Sequence, residues 1–512
     1  MAVFGCHAGL ILNRGRDESI MSPELLLIPV LLPVMGGTVM LLMPSGSDRT
    51  PDVQEERRRN LYTEIIACLT SCLVVLFLTT VRGHGNAVYS FADSFSIAFL
   101  VDGPSMLFAG MLALMWPFVL LYAFDYMRGA RHGRRFFAFY LMTYGVTLGV
   151  AFAANLVTMY VFFEMLTLVT IPLVSQNQDP ESVYASRLYT AYCIAGASLA
   201  FVAVVMGTLD GIGEFLYGGN LAGRFDPSLM RIIYLFGFFG FGAKAAVFPL
   251  FVWLPRASVA PTPVTALLHA VAVVNTGAYA VMRLTWYAFG RGLLVNTPVQ
   301  SVCILTAAFT MTFAAVMALK QRHFKRRLAY STMSNLSYIL FGISLLTPEG
   351  FHGALAHMLF HGVIKMTLFL CAGAFMHKTG HEYLYEVNGA GAVMPYTFTA
   401  YTLGAMSLTG IPLFCGFVSK WTLLSAGLGA GGTAALIGTL ALIVSAFLCA
   451  IYTLTVSIRA FFASETLYAP GIREADWRML TPIWFFTAVN FYFGMFPGAI
   501  MDFLSRIANG LM

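Results

Sequence analysis

The hydrophobic and polar positions of this chain alternate on the scale of whole segments rather than of single residues. Apolar runs of about 20 residues, the length that an α-helix needs to cross a bilayer, recur from Ser22 to Ile500. The runs mix Leu, Ala, Phe, Gly and Met without the strict two-residue alternation of a membrane β-barrel. The pattern predicts an all-α integral membrane protein with about fourteen transmembrane helices.

The predicted spans are joined by short polar connections, none of them long enough for a soluble domain. The spans are expected at residues 22–43, 61–82, 103–124, 135–153, 155–175, 185–210, 229–250, 262–288, 298–319, 328–347, 352–376, 394–414, 416–463 and 478–500. The stretch 416–463 is long enough to be either one long helix or a broken one. The chain is accordingly divided into an N-terminal tail (1–21), three first helices (22–124), a core (125–463), and a C-terminal loop with the last helix (464–512).

The composition agrees with an integral membrane protein and also indicates how the chain is oriented in the membrane. The chain is 58% hydrophobic and only 11% charged, whereas soluble domains are about one quarter charged. Most of its 30 Lys and Arg residues fall on alternate connections, and cytoplasmic connections collect these residues. We therefore expect a multi-pass protein of the cell (inner) membrane with both termini on the non-cytoplasmic side, and no cleaved targeting segment.

Motifs for redox or hydrolytic chemistry are missing from the sequence. The eight cysteines form no C-x-x-C pair and lie almost entirely in apolar runs, which is typical of packing residues. No Gly-rich phosphate loop, nucleophile elbow or metal-ligand cluster is present. We expect no cofactor and no metal in this chain, so a quinone, flavin or iron–sulfur cluster would belong to partner subunits.

Ionisable residues inside the apolar runs are the strongest functional signal, because a charge in hydrocarbon costs a few kcal/mol unless it has a partner or a role. Glu164 lies in the middle of the predicted span 155–175, and Lys244 lies in the span 229–250. A buried Glu–Lys pair whose separation changes can take up and release a proton. The alternative interpretation is a static salt bridge that joins two helices.

A second series is formed by His357, His361 and Lys365. Their i, i+4, i+8 spacing places them on one face of a helix, with a rise of roughly 12 Å. Three titratable groups on one face indicate a path for protons through intervening water. A single histidine in an apolar helix would more often be a hydrogen-bonded core residue, and His352, near the expected helix start, is interpreted as interfacial.

A weak internal sequence similarity relates the two halves of the core. Residues 237–244, which precede Pro249 and Pro255, and residues 410–420 have similar Gly, Pro and Phe around a lysine, Lys244 in the first and Lys420 in the second. Interrupted helices in corresponding positions indicate inverted repeats around a transport path. The alternative for Lys420 is a side chain that reaches the interface from a helix end. His269 and Asn275 follow a Pro-rich turn, and on a continuous helix they would point to different sides.

Several motifs carry a resemblance to a known family. They are FEM at 163–165, Lys244 with WLPRA at 253–257, APTPVTALLH at 260–269, KRRLAYST at 325–332, the His357, His361 and Lys365 series, and GFVSK at 416–420. Together they resemble the large antiporter-like subunits shared by respiratory complex I, the energy-converting membrane-bound hydrogenases and the Mrp-type cation/proton antiporters. The resemblance covers nearly the whole chain, from about residue 101 to residue 421.

The resemblance implies a fourteen-helix fold with two inverted five-helix repeats. It also implies roles in proton translocation for a series of residues. These are Glu164, Lys244, His269, His357, His361, Lys365 and Lys420. One position departs from the pattern: many members of the family carry a lysine where this chain has Asn275, an amide that can order water but cannot titrate.

Three functions remain open from the sequence. The first is a proton-translocating subunit of a redox-driven membrane complex, similar to complex I or to a membrane-bound hydrogenase, with electron transfer in peripheral redox subunits. The second is an Mrp-type sodium/proton antiporter subunit, and the third is a structural membrane scaffold. In the first two cases we expect other membrane subunits as partners, including sister antiporter-like subunits, and no nucleic acid.

Overall fold

The computed structural model of the chain describes residues 23–43, 53–80, 87–92, 95–463, 468 and 473–512. A short 3-10 turn, Pro23–Leu26, leads into the first helix. The helices are α1 Leu27–Leu42, α2 Val53–Thr80, α3 Gly103–Tyr126, α4 Gly133–Ala151, α5 Leu156–Val174, α6 Pro180–Asp210, α7 Pro227–Gly242, α8 Trp253–Ala257, α9 Thr262–Ala270, α10 Val274–Arg283, α11 Arg291–Leu294, α12 Pro298–Lys320, α13 Phe324–Ser344, α14 Pro348–Thr379, α15 Ala390–Val393, α16 Pro395–Thr409, α17 Cys415–Gly429, α18 Thr433–Phe462, α19 Trp477–Met495 and α20 Gly498–Ala508. Helix α10 continues as a π-helical turn, Leu284–Phe289.

The prediction of a mostly helical, multi-span membrane protein is confirmed. Within the described ranges, eight helices are long and apolar enough to cross a membrane, and a ninth span results if α19 and α20, bent by 77°, are taken together. Polar N-caps start several of these helices. Asp179, for example, accepts a hydrogen bond from the amide of Ser182, and Pro180 occupies the first turn of α6. The predicted tail 1–21 lies outside the described residues, as does most of the connection before Asp476.

The structure settles one open alternative about helix continuity and corrects one expectation. The stretch 416–463 is broken, because α17 ends at Gly429 and α18 begins at Thr433 after glycines with positive φ. The span 262–288 is also interrupted, since α9 ends at Ala270 and α10 begins at Val274. The helical angle expected between His269 and Asn275 therefore does not apply.

The prediction of an all-α protein was wrong in one detail. A two-stranded antiparallel hairpin, β1 Ala87–Ala92 and β2 Phe95–Ala98, lies in the connection between α2 and α3. It docks on the start of α5, where the Asn155 side chain donates to the Ser96 carbonyl at 3.0 Å and the Ala98 amide donates to Thr158 Oγ1 at 2.9 Å. The segment alternates aromatic, β-branched and small residues, which favours a short hairpin over a loop.

Burial separates the helices into an inner and an outer group. The apolar windows of α14 and of the interrupted segment Thr262–Phe289 are completely buried. Only about a third of the corresponding windows in α2 and α18 is buried, so these two helices turn most of their surface outward. Helix α14 packs against α9, α13, α16, α17 and α19. Most of the residues predicted to carry function therefore lie on or beside the two most enclosed segments of the molecule.

Candidate functional site

Lys244 lies two residues after the end of α7, in an irregular stretch that leads to α8. Its side chain is fully buried. The ammonium donates a hydrogen bond to the backbone carbonyl of Phe163 on α5 and lies 3.6 Å from the centre of the Phe163 ring. Gly240 allows the close approach of α7 to α6, because a Cβ there would stand 2.3 Å from the Ala200 amide nitrogen. A carbonyl and an aromatic face together stabilise a cation in an apolar setting.

Glu164 follows Phe163 on α5 and is partly buried. Its Oε1 is buried without a hydrogen-bond partner in the described structure. Both Glu164 and Lys244 are described, and no ion pair forms between them. The structure therefore does not show the static salt bridge that the sequence left open, and the Phe163 carbonyl takes the place of the carboxylate as the acceptor for Lys244.

The interruption between α9 and α10 positions His269 and Asn275, both fully buried. The His269 ring stacks on Phe369 of α14 at 4.9 Å, and Nε2 lies 3.5 Å from Ser258 Oγ while Nδ1 has no partner in the described structure. Asn275 donates through Nδ2 to the carbonyl of Ala270, the last residue of α9, at 2.7 Å. The amide therefore satisfies a helix-terminal carbonyl, and its Oδ1 has no partner among the described groups.

Helix α14 carries His357, His361 and Lys365 on one buried face. His357 Nδ1 lies 3.0 Å from Ser419 Oγ on α17, and the rings of His357 and His361 are 6.0 Å apart. Neither ring nitrogen of His361 has a hydrogen-bond partner in the described structure. Lys365 donates to Ser331 Oγ and, at 3.1 Å, to the Leu328 carbonyl of α13. His352, near the start of α14, is only partly buried and contacts the Met501 carbonyl at 3.0 Å.

Lys420 lies on α17, just beyond the interruption that follows α16. Its side chain is 6% exposed. The ammonium donates to the carbonyls of Leu408 and Thr409, at 2.5 and 3.2 Å. These carbonyls belong to the last turn of α16, where helical acceptors lack amide partners and the helix dipole favours a cation. Lys420 does not reach the interface from a helix end, as the alternative interpretation required.

Two buried groups were missed from the sequence. Lys325 is 4% exposed and donates to the Ala260 carbonyl at 2.9 Å. Arg283 is fully buried and forms a two-pronged ion pair with Asp102, at 2.5 and 2.6 Å. The placement of Lys325 inside the KRRLAYST motif was the one signal that could have found the first. The second is hidden by a separation of 181 residues along the chain.

Outside the membrane-spanning segments, one ionisable pair joins the residue before α13 to the connection after α14. His323 Nε2 lies 3.3 Å from Glu382 Oε2. The hydrogen bond from His323 lowers the pKa of Glu382 below its usual 4.5 and outweighs the opposing effect of partial burial. This contact fastens the start of α13, and with it Lys325, to the end of α14.

The fold and these groups together define a multi-span helical membrane protein with buried lysines and histidines at helix interruptions. The family model "NADH:quinone oxidoreductase/Mrp antiporter, TM" matches residues 153–448, more than half of the chain. The chain belongs to this family. The matched stretch contains every residue of the predicted site, from Glu164 to Lys420.

The relatives include both oxidoreductase subunits and antiporter subunits, the two classes that the family description combines. The chain is 31% identical to NADH-quinone oxidoreductase subunit N of Desulforudis audaxviator, over 80% of this chain and 81% of that protein. It is 29% identical to an Na(+)/H(+) antiporter subunit of Alkalihalophilus pseudofirmus, over 83% of this chain and 56% of that protein. The chain thus spans little more than half the length of the antiporter subunit that it matches.

Solved structures show the same fold. The Mrp complex from Dietzia sp. DQ12-45-1b matches with a TM-score of 0.82 at 21% identity, over 96% of this chain and 97% of that chain. A membrane-bound sulfane sulfur reductase, an archaeal respiratory membrane complex, matches with a TM-score of 0.82 at 20% identity, over 95% and 98%. The predicted family is therefore confirmed by sequence and by fold.

Proposed function

We propose that this chain is a proton-translocating membrane subunit of a multisubunit, redox-driven ion pump. The observation that carries the proposal is His361. It is completely buried on α14 with both ring nitrogens unpartnered among the described residues, and it lies between His357 on one side and Lys365 on the other. A histidine that served only packing or structure would normally have a hydrogen-bond partner, whereas one that exchanges protons needs free nitrogens and water.

The proposed roles follow from position. Lys244, next to Glu164, loads or releases a proton when the separation of the two side chains changes. His269 and the His357, His361 and Lys365 series pass the proton along the buried segments. Lys420, held at the end of α16, is the last site before the exit. Asn275 orders water through its Oδ1, which has no partner among the described groups, while its Nδ2 donates to the Ala270 carbonyl and lies 3.5 Å from the Met358 carbonyl of α14.

Finer features of the fold belong to the same proposal. We propose fourteen spans, with two inverted five-helix repeats. The interruption after α7, beside Lys244, and the interruption after α16, before Lys420, support this repeat. We place the protein in the cell (inner) membrane, with the connections rich in Lys and Arg facing the cytoplasm. Both termini then lie on the non-cytoplasmic side.

Other membrane subunits, sister antiporter-like subunits and peripheral redox subunits are the proposed partners. The exposed apolar faces of α2 and α18 provide surface for lipid or for membrane neighbours. A quinone, flavin or iron–sulfur cluster belongs to those partner subunits in this proposal. This chain contributes the path for the ion.

The test is proton flux in vesicles that contain the assembled complex, driven by the electron donor. Lys244→Ala and Glu164→Gln are compared with wild type at matched subunit content. Lys378→Ala serves as the control, because that lysine pairs with Asp476 in the exposed connection, at 2.9 Å, and lies outside the path. Loss of flux in the first two variants, with assembly and electron transfer retained, is expected. Unchanged flux in both would leave the scaffold function.

An Mrp-type sodium/proton antiporter subunit is the second candidate, favoured by the match to the Na(+)/H(+) antiporter subunit of Alkalihalophilus pseudofirmus. The same vesicles distinguish the two functions. A redox-driven pump acidifies the vesicle lumen only when the electron donor is present. An antiporter moves protons in response to an imposed sodium gradient without any donor.

A further inference from the structure

A groove on the surface of the molecule is lined by four basic side chains from three helices and one connection. It lies between the end of α12, the start of α13 and the end of α18, and its volume is about 540 Å³. Its basic residues are Lys320, Arg322, Arg327 and Arg459. The described residues that line it include no Asp or Glu. The volume lies in the range of about 300–1,000 Å³ that is typical of small-molecule sites.

These four cations differ from three other cations at the same boundary that have acidic partners. Arg326 pairs with Glu181, Lys378 with Asp476, and Arg128 with Asp125. Within the described ranges, none of the four groove residues forms an ion pair. A general excess of positive charge on the cytoplasmic side explains basic residues but not their convergence, unpaired, on one concave surface.

Two of the guanidinium groups are held in place by the backbone. Arg327 donates to the Tyr452 carbonyl at 3.1 Å and to the Gln321 carbonyl at 2.9 Å, and Arg459 contacts the Leu384 carbonyl at 3.4 Å. Arg327 also donates through Nε to the Gln321 carbonyl at 3.3 Å and through Nη2 to the Leu319 carbonyl at 3.4 Å, so one of its five N–H donors is left for a ligand. Arg459 keeps four donors after its single contact. A fixed fork of donors suits a phosphate group.

The wall of the groove continues into the outward surface of α18. Ile451 lines the groove and is 43% exposed, and Phe447, one turn earlier on the same face, is 68% exposed. A ligand in this place meets cations at one end and an apolar, outward-facing surface at the other. This order of charge and hydrocarbon is that of a phospholipid at the membrane boundary.

We infer that this groove binds the headgroup of an anionic phospholipid whose acyl chains lie along α18. The phosphate is contacted by Arg322, Arg327, Arg459 and Lys320. A bound lipid here would join α12, α13 and α18 at the end of the segment that carries Lys325. A second groove at the same boundary serves as the internal contrast, since it mixes Glu56 and Glu64 with its arginines and therefore offers no uniform anion site.

The full-length chain in detergent is titrated with phosphatidylglycerol or phosphatidylcholine, and lipid retention is measured by native mass spectrometry. The test variant is Lys320→Gln/Arg322→Gln/Arg459→Gln, which keeps Arg327 because that residue also holds Tyr452. The control is Arg57→Gln/Arg58→Gln/Arg478→Gln, which removes the same charge at the same boundary, around the second groove. Wild type and control are expected to retain one phosphatidylglycerol selectively. The test variant should bind it at least about tenfold more weakly, because it lacks three of the four cations that attract the anionic headgroup.

Two results would overturn the inference. Equal loss in both triple variants would mean that only total surface charge matters. Displacement of phosphatidylglycerol by excess inorganic phosphate would mean that the groove takes a free anion and not a lipid. If the test variant does not fold, Lys320→Gln/Arg322→Gln, at two exposed positions, replaces it and is expected to show a smaller loss in the same direction.

Discussion

Lys244 and Lys420 hold their ammonium groups in the same way but in opposite chemical surroundings. Both lie beside a helix interruption, and both donate to backbone carbonyls. Near Lys244 there is a carboxylate, Glu164, on α5. Near Lys420, the described ionisable residues of the site are the bases His357, His361 and Lys365, and none of them forms an ion pair within the described chain.

The difference shows two ways to hold a proton in an apolar interior. In the Lys244 region, the charge state depends on the distance between an acid and a base. In the Lys420 region, like charges disfavour simultaneous protonation. A proton bound at one base therefore makes protonation of the neighbouring bases less favourable. Under the proposed function, repulsion among these bases would drive a proton through the second region, whereas the first region would respond to movement of α5 relative to α7.

The largest expected effect is the loss of either lysine. Lys244→Met and Lys420→Met should each reduce donor-driven proton flux at least about tenfold, which corresponds to about 1.4 kcal/mol, because each change removes an ionisable site that the path cannot bypass. Flux in vesicles at matched subunit content is the measurement. Wild-type flux in one of the two variants would show that the regions are not equivalent links of one path.

A second-site change sharpens the same comparison. In Lys244→Met, Glu164 keeps a partly buried carboxylate without a nearby cation, so adding Glu164→Gln should recover about 1 kcal/mol of stability. Thermal unfolding of the single and double variants measures the recovery. Lys420→Met has no corresponding rescue, because the described part of the site around it offers no acid to neutralise. Identical stability of the single and double variants would mean that Lys244 does not act on Glu164.

His361→Phe separates proton exchange from packing in the second region. Because neither ring nitrogen of His361 has a partner among the described residues, phenylalanine loses no hydrogen bond, and stability should change by less than about 1 kcal/mol while flux falls several-fold. His357→Phe is the matched control for stability, since it breaks the contact with Ser419 and should cost about 1 kcal/mol. Unchanged flux in His361→Phe would assign this histidine to packing.

Asn275→Lys tests whether the interruption between the two regions can be made to resemble that at Lys420. An ammonium at this position would find the carbonyl of Ala270 at the end of α9, as Lys420 finds that of Leu408 at the end of α16. The variant should fold and should raise flux by about twofold, since it adds a titratable site to the buried series. Unchanged flux in Asn275→Lys together with lost flux in His269→Ala would identify His269 as the central site.

The smallest effect is expected at the surface, where Glu382 fastens α13 beside the second region. Its pKa lies below the usual 4.5, so its contribution to stability is complete above that pH and is lost as the pH falls through the folded-state pKa. Glu382→Gln should cost less than about 1 kcal/mol near neutral pH, and the variant and wild type should converge in acid. Thermal unfolding across pH measures this. Glu181→Gln, which removes the partner of Arg326 on α13, is the matched control, and a larger loss there would contradict the ranking.

The apolar runs were sufficient to predict most helices, because a bilayer requires about 20 consecutive apolar residues in each span. The break after Ala270 was missed, since residues 271–273 are Val and Ala and carry no helix-breaking signal. The hairpin at Ala87–Ala98 was missed for a different reason. It is short, and contacts with Asn155 and Thr158 some sixty positions away hold it in place.

The candidate site was predictable as a set of residues but not as a set of contacts. Intramembrane ionisable residues are rare, so Glu164, Lys244, His357, His361 and Lys365 were visible in the sequence. Their partners were not. The bond from Lys244 to the Phe163 carbonyl, in place of an ion pair with Glu164, depends on how α7 approaches α5 and on no sequence pattern.

By itself, the sequence determined the class of protein, the positions of most spans, and that Glu164, Lys244, His357, His361 and Lys365 lie in apolar segments. It did so because hydrophobic length and the cost of burying charge are local properties of a segment. Only the tertiary structure decided which carbonyl each lysine contacts, that Lys325 and the Asp102–Arg283 pair lie inside, and that four cations without ion pairs in the described chain meet in one groove. These facts depend on backbone breaks and on contacts between residues far apart in the chain, which hydropathy does not encode.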